Sequence, residues 1–266
     1  MTDMARKKKT EPQSARERIR EQQQQAAARN QRMTIVFRSL IGVAVLAMAA
    51  VVTAIALNQG GGASATPANM TDDGILLAGE AGSISADDPA GAPGDVPGVS
   101  LYVDFQCPHC LTFEHTNMPF LSEQVEAGTI TVAVHPVALM DNASQGTQFS
   151  SRAANAAACV ATHQPGTFLD VTQGLFDLQQ AAAQGSVNDD VLTQAVSEAG
   201  ADSSDTRACI LDREYDGWVR DATDRALADP DLAGPSGRFG TPTVLIEGER
   251  FDGEQTPEGL AAALGL

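Results

Sequence analysis

An apolar run rich in β-formers, residues 99–106 (Val-Ser-Leu-Tyr-Val-Asp-Phe-Gln), leads straight into Cys107-Pro108-His109-Cys110, and the segment after it reads as helix. This junction restricts the fold more than anything else in the chain. Proline suits the first turn of a helix, where a backbone N–H lacks a partner in any case. The run before it is therefore a strand that passes into the helix with almost no connecting loop. Two thiols two residues apart at such a place can close and reopen a local disulfide. The helix N-terminus and the neighbouring imidazole favour a thiolate there, so the tetrapeptide points to redox chemistry.

The segments around it form an ordered series. Asp73-Gly74-Ile75-Leu76-Leu77 predicts a short first strand, and 85–98, with Pro89, Pro93 and Pro97, predicts a loop. The helix should run from about 108 to 126, kinked at Pro119. Residues 129–137 alternate Ile130, Val132, Val134 and predict a second strand. An Ala-rich stretch, about 142–228, has apolar residues at helical spacing. Breaks near Gln164-Pro165-Gly166, Gln184-Gly185 and Ala199-Gly200 divide it into four expected helices. Residues 243–247 and 250–252 predict a hairpin around Gly248, and 256–263 a last short helix. Strand, helix, strand, helical block, hairpin, helix is an α/β order with a helical insertion.

Charge divides the chain. Up to Ser39 there are ten Lys or Arg against four acids; the rest carries a net −23, and no lysine follows Lys9. So acidic a domain argues against binding nucleic acid, which needs a basic surface facing phosphate. Between the two regimes, residues 39–57 are nineteen positions without a charge. As a helix they would span about 28 Å, close to the ~30 Å hydrocarbon core of a bilayer. Arg6-Lys7-Lys8-Lys9 and five further arginines lie before Arg38 at its edge. The positive-inside rule makes 1–38 a basic cytoplasmic tail, 39–57 a single transmembrane helix, and the C-terminal bulk extracytoplasmic. Ala63-Ser64-Ala65 resembles a signal-peptide cleavage site, but the apolar segment exceeds the ~7–15 residues of a typical signal. Residues 58–72, with Gly60-Gly61-Gly62, predict a flexible linker to a domain at 73–266. On either reading the cysteines are exported, where disulfides persist. Cys159 and Cys209 both fall in the helical block, and the exported setting favours a structural bridge between them over two buried thiols. Closing a loop of that size is worth ~4 kcal/mol in the chain-entropy account.

The strand, Cys107-Pro108-His109-Cys110, the helix, the helical insertion and Gly240-Thr241-Pro242-Thr243 ahead of a hairpin together resemble the DsbA-like branch of the thioredoxin superfamily. Membrane-anchored thiol–disulfide oxidoreductases of Gram-positive bacteria are particularly similar. The resemblance covers about 73–266. It implies a thioredoxin fold with an inserted helical subdomain at about 142–228, here preceded by one transmembrane helix. Cys107 would be the exposed sulfur that forms mixed disulfides, Cys110 the buried resolving thiol, and Pro108 and His109 the pair that sets their reactivity. It also implies a cis bond at Thr241-Pro242, lying against the cysteines and pairing with client backbone. Exported proteins with reduced cysteines would be the clients. A quinone-linked membrane protein, DsbB-like or vitamin-K-epoxide-reductase-like, would be the reoxidant, and no bound cofactor is implied.

Other readings stay open. The same fold serves exported reductases and isomerases. A metallochaperone using Cys107, Cys110 and His135 is a third possibility, although the second ligand pair usual in zinc sites is missing. Where thioredoxin-like enzymes often bury a carboxylate, six residues before the first cysteine, this chain has Leu101. Asp104 is the nearest acid and receives no role from the sequence. His115, His135 and His163 read as surface or structural residues.

Overall fold

The computed structural model of the chain describes residues 65–77 and 96–266. The expected tail, the membrane span at 39–57 and residues 58–64 of the linker lie outside the described residues. Among the described residues no helix is long and apolar enough to cross a membrane.

Among the described residues six strands form one sheet: β1 (Met70–Thr71), β2 (Gly74–Leu77), β3 (Gly98–Val103), β4 (Thr131–Pro136), β5 (Thr243–Ile246) and β6 (Glu249–Arg250), in the order β1-β2-β4-β3-β5-β6. The β3–β4 pair is parallel and the others antiparallel. A parallel pair needs a crossover, and α1 (Pro108–Glu126) supplies it. Alternation along β3 buries Val99, Leu101 and Val103, while α1 buries Cys110, Phe113, Leu121 and Val125. Pro119 lies on the exposed side of α1, which continues through it. Both hairpins turn on two residues of positive φ, Asp72-Asp73 (51° and 64°) and Glu247-Gly248 (53° and 81°). That is the turn whose twist matches paired strands.

Two boundaries differ from the sequence reading. Met70–Thr71, expected as linker, is the edge strand, so the ordered domain begins before residue 73. Asn69 reinforces this by donating its side-chain amide to the carbonyl of Ala161 at 2.8 Å. The helical block starts at residue 149 and holds six helices: α2 (Phe149–His163), α3 (Phe168–Asp177), α4 (Gln179–Ala183), α5 (Asp189–Glu198), α6 (Ser204–Asp212) and α7 (Asp216–Ala228). The three expected breaks are present. Two more fall at Leu178 and at Arg213, whose left-handed φ of 51° ends α6 without a glycine to announce it. A final helix, α8 (Pro257–Leu264), comes after the second hairpin.

Helix α2 is the centre of the insertion. Its alanines at 153, 154, 156, 157, 158 and 161 are all fully buried, so neighbouring helices cover it on every side. Cys159 on α2 is bonded to Cys209 on α6, across 50 residues of sequence.

Candidate active site

The tight passage from β3 to α1 is made by backbone. The amide of Cys107 donates to the carbonyl of Asp104 at 2.9 Å, and the amide of Leu111 donates to the carbonyl of Cys107 at 3.1 Å, beginning the helix. Cys107 is the extended N-cap residue and Pro108 the first helical one. No side chain caps this end, which leaves first-turn N–H groups available to a neighbouring anion.

Cys107 and Cys110 are both free thiols. The sequence reading made Cys107 the exposed sulfur; instead the residue is only 4% exposed, against 1% for Cys110. The reason is the loop before β5. Thr241-Pro242, joined by a cis peptide bond, comes down on the dithiol, and the Thr241 carbonyl lies 3.3 Å from Cys107 Sγ, from which it accepts a hydrogen bond only when the thiol is protonated. Pro108 and His109 remain exposed. A groove of about 380 Å³ runs beside the pair, lined by His109, Thr112, Phe113, Thr116, Thr241, Pro242 and Gln255.

The two sulfurs are driven in opposite directions. A hydrogen bond from the Cys110 thiol pulls Cys107 down to about 5, against the cost of burial; the Thr241 side chain and the backbone N–H groups of Cys110 and His109 add to the pull. Burial pushes Cys110 up, and the neighbouring Cys107 adds to the rise. Cys107 is thus held as thiolate and Cys110 as thiol.

Asp104, which the sequence left without a role, organises the turn. It is fully buried. One carboxylate oxygen accepts the Gln106 amide at 2.8 Å and the Ser150 hydroxyl at 2.7 Å. The other accepts the amides of Leu139 at 2.6 Å and Met140 at 2.9 Å. Burial pushes its pKa up while these four bonds oppose the rise. One carboxylate therefore ties the cysteine turn to the segment after β4 and to α2. The available signal was an acid inside an otherwise apolar run, three residues before the first cysteine. On the other side Arg250 donates to Thr243 Oγ1 and to the Leu232 carbonyl, and Thr243 Oγ1 donates to Gly240, fixing the Thr241-Pro242 loop.

The histidines are placed elsewhere. His135 is buried and stacks on Tyr102 at 4.3 Å, and burial pulls its pKa down to about 4. It does not join Cys107 and Cys110 in a ligand set. Among the described residues the single group spaced for a metal is His163, Cys209 and Glu214, and the Cys209 sulfur is spent in the disulfide. His115 faces Asp177 at 3.6 Å.

The model of the thioredoxin family matches residues 91–265, well over half of the chain. The chain belongs to the thioredoxin family. Two solved structures from Mycobacterium tuberculosis are similar to it. Reduced DsbA is 26% identical with a TM-score of 0.57, covering 72% of this chain and 90% of its own. The reduced disulfide bond oxidoreductase DsbG is 27% identical with a TM-score of 0.56, covering 72% and 86%. The thiol-disulfide oxidoreductase MdbA of Actinomyces oris shares the fold at 21% identity, with a TM-score of 0.60 and coverage of 77% and 93%. No curated protein sequence matches. The chain is a DsbA-like thiol–disulfide oxidoreductase. Within this thioredoxin-family oxidoreductase, Leu101 is a core residue of β3, 1% exposed, so no carboxylate lies at that position.

Proposed function

We propose that the protein donates disulfides to exported proteins through Cys107 and Cys110, from a domain held on the extracytoplasmic side of the membrane by one N-terminal helix. The contrast between the two sulfurs carries the direction. At pH 7 a thiol titrating at about 5 is almost wholly thiolate, whereas an ordinary cysteine at ~8.5 is protonated. The disulfide has no such charge to stabilise. The reduced protein is therefore favoured by about 3 kcal/mol, which makes the pair about 60 mV more oxidising.

The reaction runs in two exchanges. A client thiolate attacks Cys107 Sγ of the oxidised pair; the S–S bond breaks and its electrons pass to Cys110, which takes a proton because burial disfavours its thiolate. A second client thiolate then attacks the client sulfur of the mixed disulfide, and Cys107 leaves as thiolate. The client loses two electrons and the dithiol gains them. The groove beside Thr241-Pro242 suits an extended client segment whose backbone pairs with that loop. Returning the dithiol to disulfide needs a two-electron acceptor, here a DsbB-like or vitamin-K-epoxide-reductase-like membrane protein linked to quinone. The charge-free span at 39–57 and its basic flank support the tether and its orientation.

Trapping tests the reading. Cys110→Ala should accumulate client proteins disulfide-bonded through Cys107 in cells, and they should be released by reductant. Wild-type protein that reduces insulin efficiently but fails to oxidise reduced clients would instead make it a reductase.

A further inference from the structure

On the opposite flank of α1 from the client groove lies a second, larger cavity of about 640 Å³, between α1 and α3. With 3.6 residues per turn, Glu114, Met118, Ser122 and Glu126 flank the buried face of α1 on one side, and His109, Thr112 and Thr116 flank it on the other. Occupying one site therefore leaves the other open.

The cavity is built for a particular chemistry. Met118, Pro119 and Leu169 give it an apolar floor. Glu126, Asp170 and Asp177 stand exposed at its rim, and only Asp177 has a partner there, His115. The deciding residue is Glu114. It lines the cavity, is only 7% exposed, and has no hydrogen bond or ion pair among the described residues. Most of the side chain is buried and only its carboxyl oxygens reach the cavity, where poor hydration makes a cation a favourable partner. Among the described residues no cation supplies one: Arg152, Arg213, Arg220, Arg225 and Arg250 pair with aspartates away from this cavity, Arg207 donates to Thr193, and neither Arg207 nor Arg238 lines it. The acids do not converge closely enough to form a metal site. They surround an apolar floor long enough for an aliphatic stem.

We propose that this cavity binds an alkyl ammonium or guanidinium group, the basic side chain of a polypeptide partner, with its stem on Met118 and Leu169 and its charge against Glu114. The chemistry fits because Lys and Arg combine an apolar stem with a charged head. Burial holds the empty Glu114 carboxyl up at about 8, so it is neutral at pH 7. An arriving cation draws that proton off to solvent, and binding tightens as pH rises. The other titratable groups facing the cavity are His115 and Glu126 on α1 and Asp170 and Asp177 on α3. Binding here is independent of the direction of the dithiol chemistry.

The test is an NMR titration of the full chain in detergent with a capped Gly-Arg-Gly peptide, its citrulline counterpart and spermidine. The arginine peptide should shift amides of α1 and α3, and the citrulline peptide should not. Affinity should rise about tenfold between pH 6 and pH 9 as Glu114 ionises. Glu114→Gln should abolish that pH dependence and weaken binding at pH 9 by about tenfold. Asp170→Asn, an exposed change that leaves the fold alone, should weaken it less. Spermidine binding tighter than the peptide would assign the same site to a free polyamine. Equal binding of the citrulline peptide, unchanged affinity in both variants, displacement by stoichiometric calcium, or loss of binding when Cys107 is alkylated would each overturn the proposal.

Discussion

Cys107 keeps its charge through donors that arrive from separate parts of the chain: the Cys110 thiol, the Thr241 side chain and two first-turn amides. Its ultraviolet thiolate absorbance should therefore disappear with a midpoint of about 5 as pH falls. Cys110→Ala should move that midpoint upward, since the Cys110 thiol is the largest contributor. A pKa depressed by folding contributes stability at neutral pH that is lost as pH falls through the folded value. Reduced protein should thus lose stability relative to oxidised protein between pH 7 and pH 4, as denaturant melts of the two forms would show. Asp104 acts more locally. Asparagine there keeps the shape but replaces one acceptor oxygen by a donor, which must face two amides or an amide and a hydroxyl. Asp104→Asn should cost about 2 kcal/mol in urea unfolding. The cysteines were legible because their spacing and position carry chemistry. Asp104 was not, because its meaning lies in four donors, three of them thirty-five or more residues away.

At the scale of elements, periodicity revealed β3, α1, β4 and the last hairpin, since each buries one face against the others. Helix boundaries in the insertion were harder to read. Alanine fits a helix buried all round as readily as an exposed one, so α2 did not declare its role as the centre of the block. The stop at Arg213 is a left-handed arginine, which has no signature in composition. The β1 edge strand is two residues long, too short for any period to show. The Cys159–Cys209 bond joins α2 to α6 and closes a loop of 50 residues. Replacing both cysteines by alanine should lower unfolding stability by about 4 kcal/mol in the chain-entropy account. The Cys107 titration should stay in place, because the loop and turn that hold it are bonded independently of α6.

The whole molecule combines a basic N-terminal stretch, an uncharged span and an acidic domain. If residues 39–57 remain as an anchor, the full chain should sediment with membranes and resist alkaline carbonate extraction. Cleavage near Ala65 would instead release it to the soluble extracytoplasmic fraction, and mass spectrometry of the mature N-terminus separates the two outcomes. The way the chain enters the fold bears on either. Beyond Ala65 it makes the β1–β2 hairpin, whose Asp73 takes two bonds from Arg225, at 2.6 and 2.7 Å, and one from Trp218 at 3.1 Å. Arg225 and Trp218 both belong to α7, and in strand order β4 and β3 separate β1 and β2 from β5, which follows the Thr241-Pro242 loop. A tug arriving from the N-terminal side is therefore borne as shear by this clasp and by the β1–β2 and β2–β4 ladders. That tug and a client's pull on Cys107 thus meet the domain at different places, with strands β2, β4 and β3 between them.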